Sequence, residues 1–356
     1  MTIKRIKITL IIFLTCYVMP AQEASTTASE LLIGATLNYD ELNTKKEELF
    51  LKDFQYLTPA NAAKQTRIHP QPGVWNWEYI DDFIEFAEAN DLVVRLHGPI
   101  SPQASKWAKE DHRTPEELEK NLEEFVTAFT MKFNQVPNVK WMDVVNETVE
   151  ADGSWFGPKP GTDEWENPWL KIGKDENGFP LYILKAFEIA TKNAPNIKLV
   201  YNQHKGMEPQ VWDKIKKNVL YLREKGYRVD GIGWQAHLMM GARREDFVDN
   251  IDQSMQRLGD LIDWAHENDL GFHVTELDYL VEDTSKIEEE REIQKMVYER
   301  IVEVLLEKSG NGEVTLNLWD VATRNKKGKG QFQSIYDSNF KPTPAYCIIK
   351  KALAKE

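Results

Sequence analysis

Short apolar runs alternate with longer amphipathic ones along almost the whole chain. The short runs are strand candidates, at residues 31–38, 54–61, 92–97, 139–147, 197–202, 231–237, 271–278 and 315–321. Several are nearly continuous in apolar residues, as parallel strands covered on both faces should be. The gaps carry a helical period. Over 79–90, Ile80, Phe83, Ile84 and Ala87 fall on one face. A second helix is predicted over 115–133 with Thr114 as its N-cap. Further helices are predicted over 182–192, 209–225, 244–267, 286–308 and 344–355. Eight strands alternating with helices predict a single-domain α/β chain folded as a (β/α)8 TIM barrel. A doubly wound open sheet is the alternative, but no glycine-rich phosphate loop follows the first strand. No long repeat and no flexible linker divides the chain.

Nearly every candidate strand ends in polar or aromatic residues: Asn38, Asn61, His97, Asn146 with Glu147, Asn202, Gln235 with His237, Glu276 with Asp278, and Trp319 with Asp320. A single polar strand end reflects ordinary turn chemistry. The same feature around a whole sheet fits a barrel enzyme, whose site lies at the C-terminal ends of its strands. Glu147 and Glu276 stand out, because a carboxylate at the tip of a buried strand is costly unless chemistry needs it. Each alone reads as a helix-end carboxylate or a strand-end ion pair. Together, on the fourth and seventh strands, they form the layout of a retaining glycosidase with one acid/base and one nucleophile. His237 would lie beside the strand carrying Glu276 and Asp278, between two carboxylates, and would hold the nucleophile ionised and oriented. Gln235 and His237, two residues apart, are expected on one face of their strand. Lys64 and His97 take functional meaning only from the barrel. Trp319 reads as core, as a sugar platform, or as both.

Composition narrows the class. The 42% hydrophobic content supports a sizeable core, and 11 Trp and 12 Tyr supply flat faces that suit sugar rings. A net charge of -13 argues against nucleic acid as a partner. Arg243-Arg244 and the Lys326-Lys327-Gly328-Lys329 loop are the candidate basic patches, most simply read as solvated loop charges. Lys4, Arg5 and Lys7 precede an apolar run from Ile8 to Val18, and Pro20-Ala21-Gln22 offers a cleavage site. This is the pattern of a secretory signal over residues 1–21 that leaves a mature chain of 22–356. The run is too short for a stable membrane span. Secretion or a periplasmic location is expected. Cys16 raises a lipoprotein alternative, against which Thr15 is a poor processing residue. Cleavage after Ala21 leaves only Cys347, so no intrachain disulfide or Cys-based metal site is expected.

The segments 144–147 (Val-Val-Asn-Glu) and 275–278 (Thr-Glu-Leu-Asp) resemble the two catalytic motifs of glycoside hydrolase family 10, best known for endo-β-1,4-xylanases. Residues 231–238 (Gly-Ile-Gly-Trp-Gln-Ala-His-Leu) resemble the family's Gln-x-His strand. Residues 58–64 (Thr-Pro-Ala-Asn-Ala-Ala-Lys) resemble its second-strand segment, matching at Asn61 and Lys64. His97, Trp319 and Pro344-Ala345-Tyr346 match its third strand, eighth strand and closing helix. The resemblance spans roughly residues 31–353 and implies Glu147 as acid/base and Glu276 as nucleophile. Asn146, His237 and Asp278 would then support catalysis. Asn61, Lys64, His97, Gln235, Trp319, Asn202 and His204 would bind substrate. It implies no metal and no organic cofactor, a polysaccharide or oligosaccharide as the partner, and a monomer.

The departures concern the sugar-binding walls. Ala60 and Ala62 stand where the family usually carries Glu, and Gln65 where it carries Trp. Gly98-Pro99-Ile100-Ser101-Pro102 replaces a Trp-His pair after the third strand. Asn202-Gln203-His204 replaces an Asn-Asp end. The expected function is retaining hydrolysis of a β-linked, xylan-type glycan, decorated or of mixed linkage rather than plain. A β-glucanase or other barrel glycosidase is the enzymatic alternative, and a weakly active carbohydrate-binding protein is the non-enzymatic one.

Overall fold

The computed structural model describes residues 31–240, 243–326 and 330–354. The segment on which a secretory signal is expected lies outside them. The strands, in chain order, are β1 (Leu32–Thr36), β2 (Tyr56–Thr58), β3 (Val93–Leu96), β4 (Val139–Asn146), β5 (Lys198–Gln203) and β6 (Gly231–Trp234). They continue as β7 (His237–Leu238), β8 (Gly271–Val281), β9 (Val314–Leu318), β10 (Arg324–Asn325) and β11 (Gln331–Gln333). The order β1-β2-β3-β4-β5-β6-β8-β9 is parallel throughout, and β9 pairs back onto β1 from Leu32↔Thr315 to Ala35↔Leu318. The sheet is therefore a closed eight-stranded barrel with no free edge, as the strand count predicts.

The two faces of the strands pack differently. Outward residues such as Val94, Leu96, Val144, Leu199, Ile232 and Val274 join the helices in one large core. Inward, Tyr56, Trp141 and Val200 form a small separate cluster, with the Tyr56 and Trp141 rings 5.2 Å apart. Beside it lies an ion pair, Arg95 with Asp143, both fully buried. A charged pair here is tolerable because each ion meets the other by hydrogen bonds. Gly233 sits where a Cβ would come within 2.3 Å of the Asn202 side-chain oxygen. Only glycine lets β6 approach β5 at that level.

The helix over Pro115–Phe133 forms as predicted. Thr114 accepts from the Glu117 amide while Glu117 binds back to the Thr114 amide. The helix predicted over 244–267 begins only at Ile251. Over the preceding turns, Asn250 Nδ2 donates to the Glu245 carbonyl and Arg244 reaches to Asp249 and Glu290, so side chains take the contacts a first helical turn would need. The helix Lys45–Asp53 was not predicted; it buries only Leu49 and Phe50, too few for a visible period. Beyond the barrel rim, β8 continues and pairs antiparallel with β11, which pairs with β10. Among the described residues no helix is long and apolar enough to cross a membrane.

Candidate active site

Both glutamates reach the C-terminal rim of the barrel, on β8 and just after β4. Glu147 leaves its strand with φ 55°, a left-handed backbone that turns its side chain over the mouth. Lys205, Ala236 and Met239, each just past a neighbouring strand, share that conformation. Four positions bend where a strand would run on. This is why the run predicted as one strand over 231–237 breaks at Gln235 and Ala236 before resuming as β7.

The two carboxylates are joined through a chain of buried amides. Asn202 Nδ2 donates to Glu276 Oε1 (3.1 Å) and to Asn146 Oδ1 (2.9 Å). Gln235 Nε2 donates to the same Asn146 oxygen (3.0 Å) and to Glu147 Oε1 (2.9 Å). Asn146 Nδ2 completes the link to Glu147 at 3.2 Å. The second Glu276 oxygen faces His237 Nε2 at 3.2 Å, and His237 Nδ1 meets Asp278 Oδ1 at 2.9 Å. His97 Nδ1 lies 3.5 Å from Glu276 and 3.0 Å from Asp143.

These contacts separate the charge states. Burial pushes the Glu276 pKa up, but the His97 and His237 rings and the Lys64 ammonium outweigh it and hold the group at about 2. Burial would lower His237, yet Asp278 and then Glu276 lift it to about 10, so the ring stays cationic between two anions. His204 is the contrast. Burial brings its pKa down to about 4 despite Glu147 at 3.8 Å, so it is a neutral ring at ordinary pH.

A cleft of about 460 Å³ opens over the pair. Asn61, Lys64, Glu147, His204, Gln235, His237, Glu276 and Trp319 line it, as a sugar-binding role requires. Trp319 stands edge-on to His97 and His237, with ring centroids 5.1 and 6.0 Å away. Asn146, Asp278, His97 and Asn202 lie beneath the surface and hold the lining groups instead. Asn202 in particular is fully buried, with its oxygen bound by Thr275 and both of its amide hydrogens given to Asn146 and Glu276.

Other lining residues carried no visible signal. Gln103 and Trp165 come from long loops, and Gln103 takes the Lys64 ammonium. Arg324 and Phe332 come from β10 and β11, with the guanidinium 3.8 Å over the Phe332 ring. Arg324 also pairs with Asp278 at 3.3 Å and with Asp320 at 2.8 Å. Asp143 and Arg95 did carry a signal, charged letters inside apolar runs. The basic patches read from sequence are neutralised where described: Arg243 pairs with Asp246, Arg244 with Glu290, and Lys326 with Glu282. A larger recess of about 680 Å³ adjoins the cleft through Lys205 and Met240 but contains neither glutamate.

Comparison with known proteins agrees with this geometry. The profile of glycosyl hydrolase family 10 matches residues 22–352. Endo-1,4-beta-xylanase A of Caldicellulosiruptor saccharolyticus is 32% identical over 340 residues, covering 89% of this chain and 92% of that protein. Endo-1,4-beta-xylanase B of Thermotoga neapolitana is 29% identical, covering 88% and 84%. The crystal structure of native xylanase 10B from Thermotoga maritima superposes with a TM-score of 0.74 at 27% identity, covering 92% of this chain and 95% of that one. With a family profile along nearly its whole length and a closed barrel of the same shape, the chain belongs to glycosyl hydrolase family 10 and is a glycoside hydrolase of the xylanase type.

Proposed function

We propose that this glycoside hydrolase is a secreted, retaining enzyme acting on a β-1,4-linked xylan-type glycan, with Glu276 as nucleophile and Glu147 as acid/base. The observation that carries the reading is the contrast between the carboxylates. Glu276 is held ionised at about 2, with His237 on one of its oxygens, whereas Glu147 lines the same cleft and, among the described residues, is bound only by the amides of Asn146 and Gln235. An ionised carboxylate attacks the anomeric carbon as the glycosidic bond breaks, and Glu147 gives its proton to the leaving oxygen. Glu147 then takes a proton from water, which attacks the same carbon and releases Glu276. His237, oriented by Asp278, keeps Glu276 anionic and aimed. Asn146, buried beneath the cleft, fixes the relative position of the two glutamates. Trp319 supplies an apolar face, and Lys64, His204 and Gln235 supply hydroxyl partners.

Xylan is favoured because the similar proteins are xylanases. A decorated chain is favoured because Ala60, Ala62 and the Gly98-Pro102 stretch remove bulk beside the sugar site. Secretion rests on the signal pattern of residues 1–21. The test is hydrolysis of an aryl β-xylobioside followed by NMR. The first-formed product should keep the β configuration, and Glu276→Ala should abolish release. An inverted product, or full activity without Glu276, overturns the assignment. N-terminal sequencing of exported protein should begin near residue 22.

A further inference from the structure

Resting on that reading, we propose that a recess beside Ala60 and Ala62 is a binding site for a neutral sugar substituent carried by the glycone part of the glycan. The recess is about 310 Å³ and shares Asn61 with the catalytic cleft, so the two are neighbours across one side chain. Ala60 and Ala62 are buried and offer only methyl groups to its wall; a longer side chain at either would fill it. The recess lies between the ends of β1 and β2 and the helix Glu78–Ala89, which contributes Tyr79 and Phe83. It therefore runs outward from the barrel axis, away from the two glutamates. A main chain crossing the mouth would pass it, whereas a branch would enter it.

Its surface chemistry is that of a sugar site. Tyr79 is 41% exposed, and its ring lies parallel to Tyr39 at 3.9 Å and 16°, so one face is fixed from behind while the ring stays open to solvent. Tyr39 is in turn tied to Asp82 through its hydroxyl. A rigid aromatic plane suits the C–H face of a pyranose or furanose. Arg67 and Asp40 line the same recess, planar groups that can pair with adjacent hydroxyls. Beyond Arg67 and Tyr79 a second recess of about 340 Å³ continues the groove past Glu78. The groove carries one base, Arg67, against two acids, Asp40 and Glu78, in a chain of net charge -13, so a neutral substituent is favoured over an acidic one.

The experiment compares kcat/KM on a linear xylo-oligosaccharide with that on one bearing a single arabinofuranosyl group on its glycone side. The native enzyme should prefer the substituted chain by about tenfold, the worth of one good stacking contact. Tyr79→Ala should lose that preference while holding linear turnover within about twofold, Tyr79→Phe should keep it, and Ala60→Glu should lose it by filling the space. Equal loss on both substrates with Tyr79→Ala would assign the recess to the main chain and overturn the proposal, and so would no change on either. Calorimetric binding of the substituted chain to Glu276→Ala separates the two readings. Tyr79-dependent binding with no hydrolysis by the native protein leaves the recess standing and removes the hydrolase assignment. Hydrolysis that ignores Tyr79 does the reverse.

Discussion

Glu276 is 2% exposed and yet carries a charge at almost any pH, because cations surround it. Replacing His237 by Asn removes one of them, so the Glu276 pKa should rise. The nucleophile must be ionised, so the acid limb of kcat/KM should move to higher pH, by about one unit or more. An unmoved limb would mean that His237 does not control the nucleophile. The two carboxylates should also fail differently. Glu147→Ala should retain turnover of substrates with activated leaving groups and gain from added azide with retained configuration; Glu276→Ala should lose both. Equal losses on good and poor leaving groups for Glu147→Ala would contradict its acid role. Deeper in the barrel, Asp143→Asn leaves the Arg95 guanidinium buried without its counter-ion. A broken buried pair costs about 3–5 kcal/mol, which urea denaturation should register as a lower midpoint.

At the level of elements, Gly233 on β6 links fold to chemistry. A methyl group there would press on Asn202, whose amide joins Asn146 to Glu276. Gly233→Ala should therefore lower kcat by at least about tenfold through a displaced nucleophile, with a smaller change in KM. Unchanged kcat would show that Asn202 can move without consequence. The strands were legible in sequence because the inner and outer faces of a barrel are both covered, so their apolar runs are nearly unbroken. Helix starts were less so. Thr114 announced its helix by a capping pattern, whereas the segment before Ile251 looked helical and is held in turns by Arg244 and Asn250. The β10–β11 ribbon has two- and three-residue strands and no period to read, and the cleft residues Arg324 and Phe332 came with it unannounced.

Over the whole molecule, the charge of -13 is spread over a surface where Arg243, Arg244 and Lys326, the described members of the basic patches, are paired. A neutral glycan feels little of that field. Its kcat/KM should stay within about twofold from low salt to half-molar salt, and a strong fall would point to an ionic substrate instead. The site itself was legible in proportion to how far its residues belong to strands. Glu147, Glu276, Gln235, His237 and Trp319 sit at strand ends or just past them and were found. Residues delivered by loops, such as Gln103 and Trp165, obey no spacing rule that a sequence could show.

The seam between β9 and β1 has a consequence for how the protein is made. Asn317 on the last barrel strand bonds Thr36 on the first, across 281 residues of chain. No partial chain emerging from a ribosome can complete that circle, and pairings of such long range form slowly. Trp319 follows directly on β9, so its place beside His97 and His237 depends on the seam. Regain of helical structure and recovery of turnover should thus be separate events in refolding, with catalysis arriving last.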